Sequence, residues 1–353
     1  MDLQSLGYND FFESGRKRLG LDSFVVARVI AEHRESYRVV NATGEYTAKI
    51  TGKQMFVATS REDYPAVGDW VSVTELNAEQ AVIQAVLPRK TILKRRGVGS
   101  SDAQIIAANV DIAFIVQAAV RDFNVNRLER YAAMTAAGGV QSSIILNKID
   151  LISKAELDDI VSRIRMRFPE TNIIPISTVT GDGLNELVIQ LERRKTYCFV
   201  GSSGVGKSSI INNLLGENVL ATGQIRIRMN KGKHVTTSRS LFVLNGGAMV
   251  IDNPGMRELG MLDSETGIGE IFNKIVEIEK LCKFSDCTHT NEPGCVVRSA
   301  LESGTLNERQ YESYEKLKRE NEFSDMTNLE KRGKDRAFGK FVKKAKEQIA
   351  KYK

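Results

Sequence analysis

In this chain the run Asn147, Lys148, Ile149, Asp150 comes before the run from Gly201 to Ser208, and that order constrains the fold more than any other feature. The first run reads N-K-x-D, a pattern suited to reading guanine. The second reads G-x-x-x-x-G-K-S, a loop whose backbone amides cradle phosphates. Most guanine-nucleotide switches run the other way, phosphate loop first and base reader last. The reversed order implies a nucleotide-binding α/β domain with permuted connections. Whatever follows the γ-phosphate sensor is then a separate domain.

Length leaves room for this, since 353 residues can hold two or three domains. No run of about 18 apolar residues occurs, so a membrane span is not expected. The first 18 residues are polar and lack the apolar core of a signal peptide, which makes a cytoplasmic protein the expectation. Net charge is +6, and it is local: residues 330–353 carry ten Lys or Arg against three acids, leaving the rest of the chain near neutral. A basic tail on a neutral body points to nucleic acid. Three of the four cysteines cluster with a histidine, a pattern that favours metal over disulfide when no signal peptide is present.

Short β-rich stretches at 24–30, 37–40, 46–50, 70–76 and 80–86 are separated by turn-like segments. Five strands in about 65 residues suit a small barrel of the OB type, with an SH3-like barrel as the alternative. Residues 88–104 are basic and Gly/Ser-containing and read as a linker. From 105 the rhythm becomes strand, helix, strand: strands at 110–117, 141–146, 172–176, 197–200, 241–244 and 248–251, helices at 125–137, 154–168, 184–193 and 207–215. Apolar strands alternating with amphipathic helices predict a mostly parallel sheet covered on both faces, with ligands at the carboxyl ends of its strands. Beyond about 265 the chain reads as helical and polar. The expected organisation is an extension at 1–20, a barrel at 21–88, a linker at 89–104, a permuted nucleotide domain at 105–264, and a helical metal-binding domain with a basic tail at 265–353.

The phosphate loop follows an apolar strand and opens a helix, the context that its chemistry requires. Amides of Gly201, Ser202, Ser203, Gly204, Val205 and Gly206 would surround the phosphates. Lys207 would neutralise β/γ oxygens and Ser208 would ligate Mg²⁺, with Ser209 next in the helix. At the base reader, Asp150 would accept from guanine N1–H and the 2-amino group, two donors adenine lacks. Asn147 would bond the base or brace the phosphate loop, and the Lys148 stem would pack on the ring. Ser177 and Thr178, at the end of the next strand, would offer a backbone N–H to guanine O6. Asp252 and Gly255 end an apolar strand in D-x-P-G; the first would hold Mg²⁺ through a water and the second would contact the γ-phosphate. Met256 stands where many GTPases place a water-orienting glutamine, and methionine has no useful donor or acceptor for that role. Between loop and sensor lie Thr236 and Thr237, either of which would close over Mg²⁺, and His234, which either positions the attacking water or is an exposed loop histidine.

Cys282, Cys287, His289 and Cys295 give three thiols and an imidazole in 14 residues, a donor set suited to one structural Zn²⁺. Cys198 lies in an apolar strand and reads as packing. The tail interleaves Phe338 and Phe341 with lysines, which suits RNA by phosphate contact and stacking; a solvated helix face is the alternative.

The barrel, NKxD, GxSGVGKSS, the His-Thr-Thr switch, DxPGxRE and the Cys-x4-Cys-x-His-x5-Cys module together resemble the circularly permuted ribosome-small-subunit-dependent GTPase A family (RsgA, also called YjeQ). The resemblance covers nearly the whole chain. Val235 and Asn253 depart from the family's usual threonines. The resemblance implies a cytoplasmic GTPase acting late in 30S maturation, with the barrel and zinc module on 16S rRNA. It also implies hydrolysis stimulated by the 30S particle, and His234 at the position of the family's proposed catalytic histidine. A monomer is expected, with neither DNA nor membrane as partner. Two competing classes remain at this point. A P-loop kinase would need an acceptor-binding base and no NKxD. A non-enzymatic RNA-binding module would have no use for an intact Lys207, Ser208 and Asp252.

Overall fold

The structure is a computed structural model and describes residues 2–33, 36–96, 103–120, 123–216, 239–252 and 265–325. It opens with helix α1 (Asp10–Arg18), capped by the Asn9 side chain. Its Phe12 and the preceding Leu6 are buried with Trp70 in the main core, so the polar N-terminal extension is anchored to the body of the molecule.

The barrel comprises β1 (Val25–Glu32), β2 (Tyr37–Val40), β3 (Glu45–Ile50), the short helix α2 (Gly52–Val57), β4 (Trp70–Glu75) and β5 (Gln80–Val86). Its pairing runs β1-β2-β3-β5-β4 and closes back on β1, with β3 and β5 parallel. That closed five-stranded order is the OB arrangement and removes the SH3-like alternative. Alternate residues fill the interior (Val29, Val39, Ala48, Val71, Val73, Ile83), as the two-residue period of a strand dictates.

The stretch expected to be a linker carries strand structure at its described ends. Strand β6 (Ile92–Arg96) pairs antiparallel with β7 (Ala103–Ala108). Leu93 is fully buried there, a core contact that the surrounding Lys94, Arg95 and Arg96 conceal in a composition reading.

The nucleotide domain follows as β8 (Ile112–Ala118), α3 (Val125–Ala137), β9 (Gln141–Asn147), α4 (Lys154–Arg167), β10 (Ile173–Pro175), α5 (Leu184–Ile189), β11 (Thr196–Val200), α6 (Lys207–Leu215), β12 (Ser240–Val243) and β13 (Met249–Asp252). These elements match the expected ones to within a few residues. Strands β10-β9-β8-β11-β13 are parallel, and β12 is antiparallel beside β13. β11 is buried at every position, as a central parallel strand must be. Phe114, Tyr197 and Phe199 pack across β8 and β11 with ring centroids 5.3 and 5.2 Å apart. Burial of each aromatic side chain stabilises the sheet by roughly 1.5–3 kcal/mol.

The sheet does not stop at β12. Ala31 of β1 pairs with Ser240, so barrel and nucleotide domain share one continuous sheet. At that junction Arg28 of β1 is 1% exposed. It donates to the Leu6 carbonyl, to Gly68 O at 3.3 Å and to Thr196 Oγ1 at 2.7 Å, and its guanidinium lies 5.4 Å from the Trp70 ring. Burial pulls its pKa down to about 10, against the opposing pull of Asp111 and Asp69.

The C-terminal helices are α7 (Glu265–Ile271), α8 (Asn273–Glu279), α9 (Val296–Glu302) and α10 (Glu308–Asp325). They enclose a small core around Phe272, Ile275, Val297, Tyr314 and Leu317. α7 crosses α3 so closely that a Cβ on Gly267 would lie 2.0 Å from Ala133 O, and only glycine permits that approach. A second tie is polar: Glu129 of α3, 1% exposed, accepts from Arg167 of α4 at 2.5 Å and from Ser313 of α10. Among the described residues no helix is long and apolar enough to cross a membrane.

Candidate functional site

β9 ends at Asn147 and β11 ends one residue before Gly201, so both motifs leave the same carboxyl edge of the sheet. Asn147 is fully buried and donates from Nδ2 to Val205 O at 2.8 Å. Its Oδ1 accepts the Lys148 amide at 2.8 Å, which supports Lys148 in a left-handed backbone conformation with φ 67°. From there Lys148 Nζ reaches Gly204 O at 2.7 Å. Two consecutive residues of the base reader thus hold two consecutive peptides of the phosphate loop. The fit leaves no slack: Gly206 has φ +99°, and a Cβ there would sit 2.1 Å from Asn147 Nδ2.

Gly206 precedes α6 with no side-chain cap, so the first amides of that helix are left to a ligand. Lys207 curls back, donating to Gly201 O at 2.6 Å and Ser202 O at 2.7 Å. Burial lowers its pKa from 10.5 to about 8, with Asp252 pulling the other way. Asp252, 8% exposed at the end of β13, therefore lies in the electrostatic reach of the loop lysine. Ser203 is exposed on the loop, Val205 is buried in the sheet's core, and Ser208 and Ser209 are half-buried in the first turn of α6.

Asp150 is held from the side. Ser177 Oγ, itself fully buried, donates to Asp150 Oδ1 at 2.6 Å while accepting the Val179 and Thr180 amides at 3.2 and 3.1 Å. The Ser177 amide is engaged by Asp182 O at 2.9 Å. Of the two backbone donors expected for guanine O6, the Ser177 amide is therefore already engaged within the protein. Tyr131 of α3, 5% exposed, places its hydroxyl 3.5 Å from Ser202 Oγ, a neighbour of the phosphate loop that no local motif announces. His234, Thr236, Thr237, Gly255 and Met256 lie outside the described residues, as does the basic tail from 331 onward.

The second cluster lies among the C-terminal helices. The ligand atoms of Cys282, Cys287, His289 and Cys295 all fall within 4.8 Å of one another. His289 Nδ1 is 3.7 Å from Cys282 Sγ and 3.4 Å from Cys295 Sγ. A tetrahedron with Zn–S of about 2.3 Å and Zn–N of about 2.0 Å has edges of roughly 3.5–3.8 Å, so the donor set is compatible with zinc. His289 adopts φ +58°, a left-handed backbone conformation uncommon outside glycine. Cys198 is fully buried in β11 and takes no part.

Two motifs hydrogen-bonded to each other at one carboxyl edge of the sheet, in reversed chain order, define a circularly permuted P-loop GTPase. The comparisons with known proteins agree. The model of the family described as RsgA GTPase matches residues 86–262. The small ribosomal subunit biogenesis GTPase RsgA 2 of Lactiplantibacillus plantarum is 43% identical over 320 residues, covering 89% of each chain. The small ribosomal subunit biogenesis GTPase RsgA of Opitutus terrae is 42% identical over 92% of this chain and 91% of its own. Among solved structures, YjeQ from Thermotoga maritima aligns with a TM-score of 0.61 at 26% identity, covering 83% of this chain and 96% of that one. The circularly permuted GTPase YloQ aligns with the same score, covering 86% and 97%, and at 23% identity it attests the fold. The chain belongs to the RsgA GTPase family.

Proposed function

We propose that this GTPase acts in the maturation of the small ribosomal subunit, hydrolysing GTP when docked on 30S particles through contacts with 16S rRNA. The reading rests on one relationship above all, the Asn147 and Lys148 hydrogen bonds that hold a guanine reader against a phosphate loop. It is supported by relatives at 42–43% identity that carry the name of small-subunit biogenesis GTPases.

In this reading Asp150 pairs with guanine N1–H and the 2-amino group, and the Thr178 amide meets O6. Amides from Gly201 to Gly206 surround the phosphates, and Lys207 exchanges its loop carbonyls for β/γ oxygens. Ser208 and one of Thr236 and Thr237 would hold magnesium directly and Asp252 through a water, and the ion would supply neutralisation of the charge developing on the phosphates. Gly255 contacts the γ-phosphate, and His234 positions the attacking water. No covalent intermediate is needed, because positioning and electrostatics carry phosphoryl transfer. The cluster at 282–295 holds one structural zinc. The barrel and C-terminal module, with the basic tail, form the rRNA-binding surfaces of a cytoplasmic monomer. Because the permutation joins the γ-phosphate sensor to the module beginning near 265, loss of the γ-phosphate biases how that module sits on RNA.

The test is GTP and ATP turnover with purified 30S or 50S subunits, alongside cosedimentation under a GTP analogue and GDP. We expect GTP-selective turnover accelerated by 30S alone, and 30S binding favoured by the analogue. Equal use of ATP, or indifference to 30S, would sink the reading. A 30S-stimulated rate unchanged in His234→Ala would remove the histidine from it.

A further inference from the structure

We propose that Glu279 is the positioning residue of the Cys/His cluster, and that through α10 it makes metal retention and the docking of the C-terminal helices onto α3 one coupled property. The proposal rests on the zinc reading given above.

The geometry starts at the imidazole. His289 directs Nδ1 at the thiols, which leaves Nε2 to carry the ring proton. Nε2 lies 3.1 Å from Glu279 Oε1. A carboxylate accepting that N–H fixes the tautomer and the ring plane and raises the basicity of the ligating nitrogen. Glu279 is itself held. Its Oε2 accepts the Tyr314 hydroxyl at 2.7 Å, and Lys318 Nζ approaches Oε1 at 3.7 Å. The His289 and Glu279 side chains are 7% and 17% exposed, and Tyr314 is 4% exposed. A carboxylate this shielded, with its oxygens engaged by a ligand histidine and a buried tyrosine, is part of a built site and not a solvated surface charge.

Tyr314 belongs to α10, and so does its neighbour Ser313. Consecutive helical positions point about 100° apart. Tyr314 therefore meets the metal module while Ser313 donates to the buried Glu129 carboxylate on α3, which Arg167 of α4 also engages. One helix turn bridges the cluster and the GTPase domain. If the metal leaves, His289 and Glu279 lose their fixed geometry, Tyr314 loses its acceptor, and α10 loosens on α3. Conversely, α10 seated on α3 holds Glu279 where His289 needs it.

The experiment uses the full-length protein and measures zinc affinity by competition with a chromophoric chelator. Variants are Glu279→Ala, Glu279→Gln, Tyr314→Phe and Lys318→Ala, with helicity by circular dichroism as the folding control. Second-sphere loss at such sites typically weakens metal binding about 10–100-fold. We expect that range for Glu279→Ala and a smaller loss for Tyr314→Phe. Glu279→Gln, which keeps an acceptor, should recover part of the loss, and Lys318→Ala, which removes only a longer and half-exposed contact to Glu279, should cost less than Tyr314→Phe.

Nitrogen-15 spectra of the imidazoles, of which the chain has only three, report the tautomer directly. Zinc-loaded protein should show Nδ1 metallated and a slowly exchanging Nε2–H that speeds up in Glu279→Ala. Stripping zinc should raise amide hydrogen exchange in α10 and on α3, as well as around 282–295. Wild-type protein that takes up no zinc would overturn the metal reading itself. Wild type binding one zinc, with Glu279→Ala or, should that variant unfold, Tyr314→Phe and Glu279→Gln within twofold of it, overturns the positioning role alone. Exchange confined to 282–295 overturns the coupling.

Discussion

Asn147 donates its side-chain amide to the carbonyl of Val205, 58 residues further along the chain, and so fastens the base reader to the phosphate loop. The Cβ that Gly206 lacks would occupy the space of that same amide, 2.1 Å from Nδ2, at a φ of +99° that other residues rarely adopt. Gly206→Ala is therefore expected to reduce affinity for a fluorescent GDP analogue at least about 100-fold, since the loop must move and the Asn147 bond must break together. An unchanged dissociation constant in equilibrium titration would show that the loop is not rigidly seated.

In the proposed reading Asp150 selects the base. Asp150→Asn replaces an acceptor for N1–H and the 2-amino group by a carboxamide that presents a donor. Guanine affinity should fall by about 2–4 kcal/mol, roughly 30- to 1000-fold, and xanthine nucleotides, with a carbonyl at C2, should gain in relative terms. Ser177→Ala frees the carboxylate that Ser177 Oγ holds at 2.6 Å and should cost about 1 kcal/mol in GDP binding with no change of base preference. Competition titrations with GDP, ADP and XDP separate the two outcomes.

Nucleotide binding is expected to depend on pH through Lys207. Burial lowers its pKa from 10.5 to about 8 in the free protein, and bound phosphates favour the charged form and raise it. The sign follows: below about pH 8 the lysine is already charged and affinity is at its plateau. Above that value binding must take up a proton, so affinity falls by up to tenfold per pH unit until the bound-state pKa is reached. GDP titrations between about pH 7 and pH 9 measure this, and Lys207→Arg, charged throughout, should flatten the profile. A flat wild-type profile would contradict the assignment.

Arg28 welds the barrel to the GTPase sheet. Arg28→Ala leaves the Leu6 and Gly68 carbonyls and Thr196 Oγ1 without this donor and opens a cavity against Trp70. The expected loss is about 3–5 kcal/mol of stability, read as a lower urea midpoint. Loss of a single cooperative transition would show in addition that the two domains unfold together only because of this contact. A midpoint within error of wild type would mean the continuous sheet alone suffices.

Much of the molecule was legible locally. Strands β8, β9, β11 and β13 and helices α3, α4 and α6 announce themselves by apolar period and caps, such as the Ser153–Glu156 capping box at α4. Other features escaped for stated reasons. β6 hides Leu93 behind three basic residues. Ser177 looked like a backbone donor, yet its amide is engaged by Asp182 and its hydroxyl does the positioning. Tyr131 reaches Ser202 from a helix 71 residues earlier, with no spacing to betray it.

The sequence by itself determined the candidate chemistry: a carboxylate suited to guanine, a glycine loop suited to phosphate, and three thiols with an imidazole compatible with a metal, because each is a short run of residue types whose geometry the backbone sets nearby. The tertiary structure alone decided how these parts are joined. Arg28 meets Thr196 across 168 residues, Ser313 meets Glu129 across 184, and Tyr314 meets Glu279 across 35. Such pairs carry no periodic or spacing signal; the first accompanies the junction at which a barrel strand extends the GTPase sheet, and the second a C-terminal module that a glycine lets pack against α3.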